Sequence, residues 1–246
     1  MKTQIFIQAR MGSTRLPKKV LLKVLGKTII ELMLERLRNV NDIDKIVLVT
    51  TQNKEDEALV KEAKRLGIDS FQGSQENILD RFYQAARVFK PDNIIRVSAD
   101  CPLIDFTLIN KGLDIFSQGD YDIVSNGRMR TFPDGMDFEI FRVGALETAW
   151  QENPKDQNEF LGPTTYLLEK KKFKNGVLMG DINLSHIRLT LDNKEDFDLV
   201  KIIYENLYPK NKGFTLKDIL EFLKSRPDLL NLNYKFIKLD YGLKLE

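Results

Sequence analysis

Residues 4–22, QIFIQARMGSTRLPKKVLL, run from an apolar stretch (Ile5, Phe6, Ile7) straight into a loop carrying Arg10, Gly12, Ser13, Thr14, Arg15, Lys18 and Lys19. The pattern reads as a buried strand that opens onto a small-residue, cation-rich turn. Gly, Ser and Thr keep the backbone accessible, so its N–H groups can face an anion while Arg and Lys neutralise it. In an open α/β sheet the carboxyl end of the first strand is where such a loop holds a phosphate-bearing ligand. The competing reading is a solvated connector. The cations gather around the one small-residue turn of the segment, which favours phosphate.

Outward from this loop, strand-like and helix-like segments alternate. Residues 28–40, TIIELMLERLRNV, carry a Thr28/Glu31 capping-box pattern and an apolar face of Ile30, Met33, Leu34 and Leu37. KIVLVTT (45–51) suits a strand buried on both faces. EDEALVKEAKRLG (55–67) reads as a helix stopped by Gly67, and DSFQG (69–73) as a short strand. A helix over 76–90 places Ile78, Phe82, Ala85 and Phe89 at helical spacing. NIIRVSAD (93–100) is a further buried strand, and Asp105 is the N-cap of a helix ending near Gln118.

Beyond residue 120 the pattern loosens. YDIVS (121–125) and FEIFRV (138–143) read as strands around the polar NGRMRTFPDGMD (126–137), a binding loop by composition. Helices are expected over 145–150 and 159–169, strands at GVLMG (176–180) and HIRLTLD (186–192), and two closing helices over 194–208 and 215–225. The alternation predicts an α/β fold with three layers and a mixed, mostly parallel sheet joined by right-handed crossovers. Residues 1–246 are read as one domain: about 1–120 form a nucleotide-binding half, about 121–185 a substrate-side lobe, and 186–246 a return strand with C-terminal helices.

Composition removes several function classes. Lys and Arg number 38 against 36 Asp and Glu, a net charge of +2, so the basic loop is a local device and not part of a nucleic-acid surface. Cys101 is the only cysteine and His186 the only histidine, which excludes an intramolecular disulfide and Cys- or His-rich metal sites. Any metal must then be a hard cation on oxygen ligands. His186 is expected to pack or hydrogen-bond near a strand start. The opening residues lack a signal-peptide pattern and no apolar run reaches membrane-spanning length, so no membrane association and a cytoplasmic location are expected. The full GxxxxGK[ST] phosphate loop, the GxSxG elbow and the GxGxxG fingerprint are all missing from the sequence.

Asp100 and Asp192 each follow a strand-like run, and a parallel sheet brings both to the edge that carries the basic loop. Carboxylates that hold magnesium, and cations that neutralise phosphates bridged by it, form a metal–nucleoside triphosphate site. For Asp192, metal ligand and helix N-cap both stay open. Asp100 precedes Cys101-Pro102 with no helix start, which favours the ligand role. Asp134, Asp137 and Glu139 either read hydroxyl or amino groups of a polar substrate or are solvated charge.

QARMGSTRLPKKVL (8–21) resembles the nucleotide-binding signature of sugar-acid cytidylyltransferases of the spore-coat polysaccharide type, which are similar to acylneuraminate and 3-deoxy-manno-octulosonate cytidylyltransferases. The resemblance continues in order through ENILDRFYQAA (76–86), IIRVSADCPLID (94–105), FPDGMDFEIF (132–141) and IRLTLDNKEDFDLV (187–200). It implies a Rossmann-like nucleotide-diphospho-sugar transferase fold and magnesium-dependent transfer of CMP from CTP to a small acidic acceptor, with pyrophosphate released. It also implies a homodimer. Carried over by position, Arg10, Ser13, Arg15 and Lys19 bind the triphosphate with Ala9 and Gly12 beside them. Asn77, Asp80 and Arg81 lie near the nucleoside, Asp100 and Asp192 bind metal, and Asp134, Gly135, Asp137 and Glu139 face the acceptor. Arg15, Lys19 and Asp100 are the expected catalytic groups. Two departures stand out: Lys18 occupies a position often held by Gly, and EFLGPTTYLL (159–168) lacks the usual Arg-Glu-His start. A nucleotide-sugar glycosyltransferase and a non-catalytic nucleotide-binding module are the alternatives.

Overall fold

Ile5, Phe6 and Ile7 are fully buried because β1 (Thr3–Gln8) lies in the middle of the main sheet of the computed structural model, which describes residues 1–152 and 163–237. A small hairpin, β2 (Lys23–Val24) with β3 (Lys27–Thr28), follows the basic loop and leads into α1 (Ile29–Leu37). Then come β4 (Lys45–Thr51), α2 (Glu57–Arg65), β5 (Asp69–Gly73), α3 (Ile78–Phe89), β6 (Asn93–Ser98) and α4 (Phe106–Gln118). The second half holds β7 (Ile123–Ser125), β8 (Phe138–Arg142), α5 (Val143–Glu152), α6 (Pro163–Glu169), β9 (Asn175–Val177), α7 (Lys194–Leu207) and α8 (Leu216–Ser225).

The sheet order is β5-β4-β1-β6-β8-β7-β9. The first four strands are mutually parallel, and β8 alone runs against its neighbours β6 and β7. The expected mixed, mostly parallel α/β sheet is therefore found. Alternate side chains feed two cores. Ile5, Ile7, Leu48, Ile95 and Val97 pack on the side of α1, α2, α4, α7 and α8, whereas Phe6, Val47, Val49 and Ile94 pack on the side of α3, α5 and α6. Period-two side chains buried on both faces explain why these strands read as continuous apolar runs.

Local expectations hold where a cap or stop fixes them. Asp105 accepts the N–H of Thr107 and Gly67 takes φ 70°, whereas only half of the Thr28/Glu31 box forms: Thr28 accepts the N–H of Glu31, and the Glu31 carboxylate pairs with Lys27 and Arg65. Two expectations need correction. The strand anticipated at 176–180 begins at Asn175 and ends at Val177. HIRLTLD (186–192) is extended but forms no ladder, only an isolated bridge between Arg188 and Asp134. Its backbone is divided between two loops: Leu189 N–H donates to Asp134 O at 2.7 Å and Leu191 N–H to Asp100 O at 2.7 Å. The expected helix over 159–169 is described from Pro163, and residues 159–162 lie outside the described residues.

Gly112 lets α4 lie close to β8, since a Cβ there would fall 2.5 Å from the Phe138 ring. Alanine favours helix by roughly 1 kcal/mol over glycine. Gly112→Ala is nevertheless expected to lose about 1–3 kcal/mol through overpacking, read as a lower melting temperature. A raised melting temperature would refute this account of the contact.

Candidate active site

The basic loop leaves β1 after Gln8 and is pinned from below by a buried acid that the sequence reading did not single out. Asp56, fully buried, accepts Met11 N–H at 2.6 Å with one oxygen, and with the other the hydroxyl and N–H of Thr51 at the end of β4. Among the described residues, the backbone N–H groups of Gly12, Thr14 and Arg15 donate to no protein group, so they are available to a ligand. Lys18 adopts the left-handed conformation at φ 58°, ψ 23°. That explains why glycine suits the position, because only glycine enters this region without steric cost.

Lys19 then turns inward, its side chain only 12% exposed. Its Nζ lies 3.2 Å from Asp100 Oδ2 and 2.9 Å from Asp192 Oδ1. Arg15 reaches the same Asp192 oxygen at 3.2 Å. Three residues far apart in the chain thus converge on one point, with Asp100 delivered by the end of β6 and Asp192 by the extended 186–192 segment. Burial alone would raise the Asp192 carboxyl, but Lys19 and Arg15 outweigh it and hold it below the usual carboxylate range.

Behind Asp192 stands Arg188, which donates to Asp134 at 2.8 Å, Asp192 at 3.1 Å and the fully buried Asp196 at 2.9 and 3.0 Å. Asp196 also accepts the backbone N–H groups of Asp192 and Asn193. Asn193 and Asp196 form the capping box of α7, so the N-cap reading belongs to Asn193 and leaves the Asp192 carboxylate turned to Lys19. Arg188 and Arg96 each interrupt an apolar run. Such a cation must be paired when buried, and that was the readable signal for both. Arg96 pairs with Glu139 through two contacts at 2.9 and 3.0 Å.

Two cavities flank the convergence point. One, about 590 Å³, is lined by the loop (Ala9, Arg10, Gly12, Ser13, Arg15, Lys19) and by Arg81. Arg81 is buried, its Nε has no partner, and burial followed by the neighbouring Arg10 pulls its pKa down to about 10. An anion in this cavity would relieve both. Asn77 caps α3 by accepting Asp80 N–H, and Asp80 accepts from Gln84 and from the Trp150 indole; neither lines this cavity. The other cavity, about 830 Å³, is lined by Asp134, Asp137, Glu139, Arg128, Arg130 and Thr164 among others. Gly135 is not in its wall. At φ 101° its Cα lies so close to the 189–190 backbone that a Cβ would fall 2.5 Å from Thr190 N, and this closeness docks the acidic loop onto the extended segment. The cavities meet at Arg15, Ile78, Ser98, Asp100 and Asp192. His186 is exposed in a turn and lines neither cavity, so the packing expected for it at a strand start is not found. Cys101 is buried, and burial with the adjacent Asp100 carboxylate pushes its thiol up, so nucleophilic use is unsupported.

Asp137 faces the larger cavity with its side chain 25% exposed and with Arg130 as a distant partner at 3.4 Å. Burial, reinforced by Asp134 and Glu139, pushes its pKa up to about 6 against the pull of Arg130. A raised carboxyl binds its proton more tightly in the folded state, so stability falls as pH rises from about 4 to about 6, and the cost is complete at neutral pH. Allowing for partial solvent screening, that cost is on the order of 2 kcal/mol. Asp137→Asn is expected to raise the melting temperature at pH 7 and to change it little at pH 4. Equal shifts at both pH values would show that the charge is not the cause.

A sequence model described as cytidylyltransferase matches residues 4–228. The uncharacterized protein MJ1063 of Methanocaldococcus jannaschii is 36% identical over 236 residues, 95% of each chain. The spore coat polysaccharide biosynthesis protein SpsF of Bacillus subtilis is 29% identical over 90% of this chain and 94% of its own. A solved cytidylyltransferase from Leptospira borgpetersenii superposes with a TM-score of 0.86 at 34% identity, covering 94% of this chain and 97% of that one. With its basic loop and paired carboxylates set between two cavities, and with a match that spans nearly its whole length, this chain belongs to the cytidylyltransferase family and is a nucleotidyltransferase.

Proposed function

We propose that the chain transfers CMP from CTP to a small acidic sugar or related acceptor, with magnesium, releasing pyrophosphate in surface polysaccharide or glycan synthesis. The observation that carries this reading is the meeting of two cavities at one cluster of charge. The loop cavity presents cations and open N–H groups to a triphosphate. The larger cavity presents acids, hydroxyls and arginines to a polar acceptor, and Asp100, Asp192 and Arg15 border both. An acceptor oxygen placed in the larger cavity can approach the α-phosphorus in line as the bond to pyrophosphate breaks. Arg15 and Lys19 then offset the charge that spreads over the phosphoryl oxygens, where positioning and electrostatics dominate. A nucleotide-sugar glycosyltransferase would have less use for so many loop cations.

The donor set fits magnesium of one kind. Asp100 and Asp192 are two hard oxygen donors close enough to share one ammonium, and among the described residues no group of three acidic, His or Cys side chains forms a cage. Magnesium is held in just this way, by one or two carboxylates plus substrate phosphates. When bound it would polarise phosphoryl oxygens and neutralise their charge. Without nucleotide, Lys19 spends its charge on the two carboxylates that the ion needs. Triphosphate draws Lys19 and Arg15 away and frees them, so nucleotide and metal should bind with positive coupling. No helix among the described residues is long and apolar enough to cross a membrane. A cytoplasmic homodimer belongs to the same reading.

Lys19→Ala or Arg15→Ala should lower CTP-dependent pyrophosphate release with a suitable acceptor on the order of 100-fold. Asp100→Ala should lower it further, and near-normal turnover in both Lys19→Ala and Asp100→Ala would sink the site assignment. Calorimetric titration with Mn2+ should show weak binding to the protein alone and binding about tenfold tighter or more once CTP is present. Lys19→Met should tighten nucleotide-free Mn2+ binding. If that variant binds Mn2+ no better than the parent, Lys19 does not compete for the carboxylates.

A further inference from the structure

The family match ends at residue 228, yet Lys235, Phe236 and Ile237 line the larger cavity. They come from a short 3-10 turn over Tyr234–Phe236, in the segment that follows α8. A terminal turn packed loosely against the surface would select nothing. This one is fixed from behind. Asn233, 1% exposed, donates its side-chain N–H groups to Asp196 Oδ1 at 2.9 Å and to Arg188 O at 3.1 Å. Those are the two residues that also orient Asp192. One buried carboxylate therefore holds the carboxylate loop and this wall in a single rigid frame.

The wall also brings a distinct chemistry. Most of the cavity lining is charged or hydroxylic, with Asp134, Asp137, Glu139, Ser125 and Thr164, and Ile78 and Leu168 also reach it. Phe236 and Ile237 add an apolar face, and an aromatic ring beside polar groups suits a sugar, whose ring carries C–H on one side and hydroxyls at its rim. Lys235 is paired with Glu195 at 2.7 Å, but its side chain is 65% exposed. An exposed pair of this kind is worth about 1 kcal/mol or less, so its ammonium exchanges readily onto a substrate anion.

We propose that residues 233–237 form the acceptor-selecting wall of the larger cavity, with Phe236 packing on the apolar face of an acidic sugar and Lys235 meeting its carboxylate. The inference rests on the transfer reading given above. It makes Phe236 and Lys235 specificity residues and Asn233 a positioning residue. It also places part of the choice of acceptor outside the stretch that defines the family.

The test uses the full chain and two variants, Phe236→Ala and the surface substitution Lys235→Glu, each checked by thermal melting. CTP affinity is measured by calorimetry. Pyrophosphate release is followed with magnesium and CTP against glucuronate, 3-deoxy-manno-octulosonate and N-acetylneuraminate. The expected result is an acceptor KM raised on the order of tenfold in both variants, with CTP affinity within about twofold of the parent. A merely structural role would shift CTP affinity and acceptor KM together or neither. Unchanged acceptor KM values in both variants, with the parent active, overturn this inference and leave the proposed transfer intact. A parent that binds CTP but turns over none of the three sugars overturns the acidic-sugar reading and this wall with it. A parent that fails to bind CTP overturns the proposed function itself.

Discussion

The arrangement at the carboxyl edge of the sheet depends on one interaction, the ammonium of Lys19 held between Asp100 and Asp192. Two carboxylates forced this close would repel each other strongly in a half-buried setting. A cation between them permits the β6 end, the basic loop and the 186–192 segment to meet. The same contact leaves both carboxylates neutralised from within the chain, by an ammonium that is only 12% exposed.

A second layer keeps that meeting point rigid. Asp196 gathers Arg188, Asn233 and two backbone N–H groups, and Asp56 holds Met11 to the end of β4. Buried acids with every oxygen engaged contribute precise placement more than net stability, since desolvation offsets much of the attraction. Asp137 is the opposite case. It carries an ionisation cost in the fold while facing the larger cavity.

The chain order also explains why two cavities open side by side. The first half of the molecule, through β6, builds the loop cavity from parallel strands. The reversed strand β8 and the acidic loop before it wall off the larger cavity on the other side of Asp100. The chain passes from β1 to β4 on one side and later to β6 on the other, and a crevice opens outside the carboxyl ends of the strands at such a switch point.

The sequence by itself determined the layered α/β fold, the cation-rich loop after β1, and Asp100 and Asp192 as candidates on one edge. Period-two burial and helical spacing are local patterns, and each leaves a mark within ten residues or so. Tertiary structure alone decided the rest. Residues 186–192 look like a strand because extended, apolar segments share one pattern, whether they join a ladder or bridge two loops. Asn77 and Asp80 cap and brace α3, while Arg81 from the same turn lines the loop cavity, a division that the spacing of the three residues does not encode. Gly135 serves a close backbone approach that no spacing rule encodes. The Arg188–Asp196–Asn233 frame joins residues up to 45 apart in the chain, and Lys19–Asp192 spans 173. Pairings of buried charge over such distances are set by how whole elements pack, and that information is spread over the entire core.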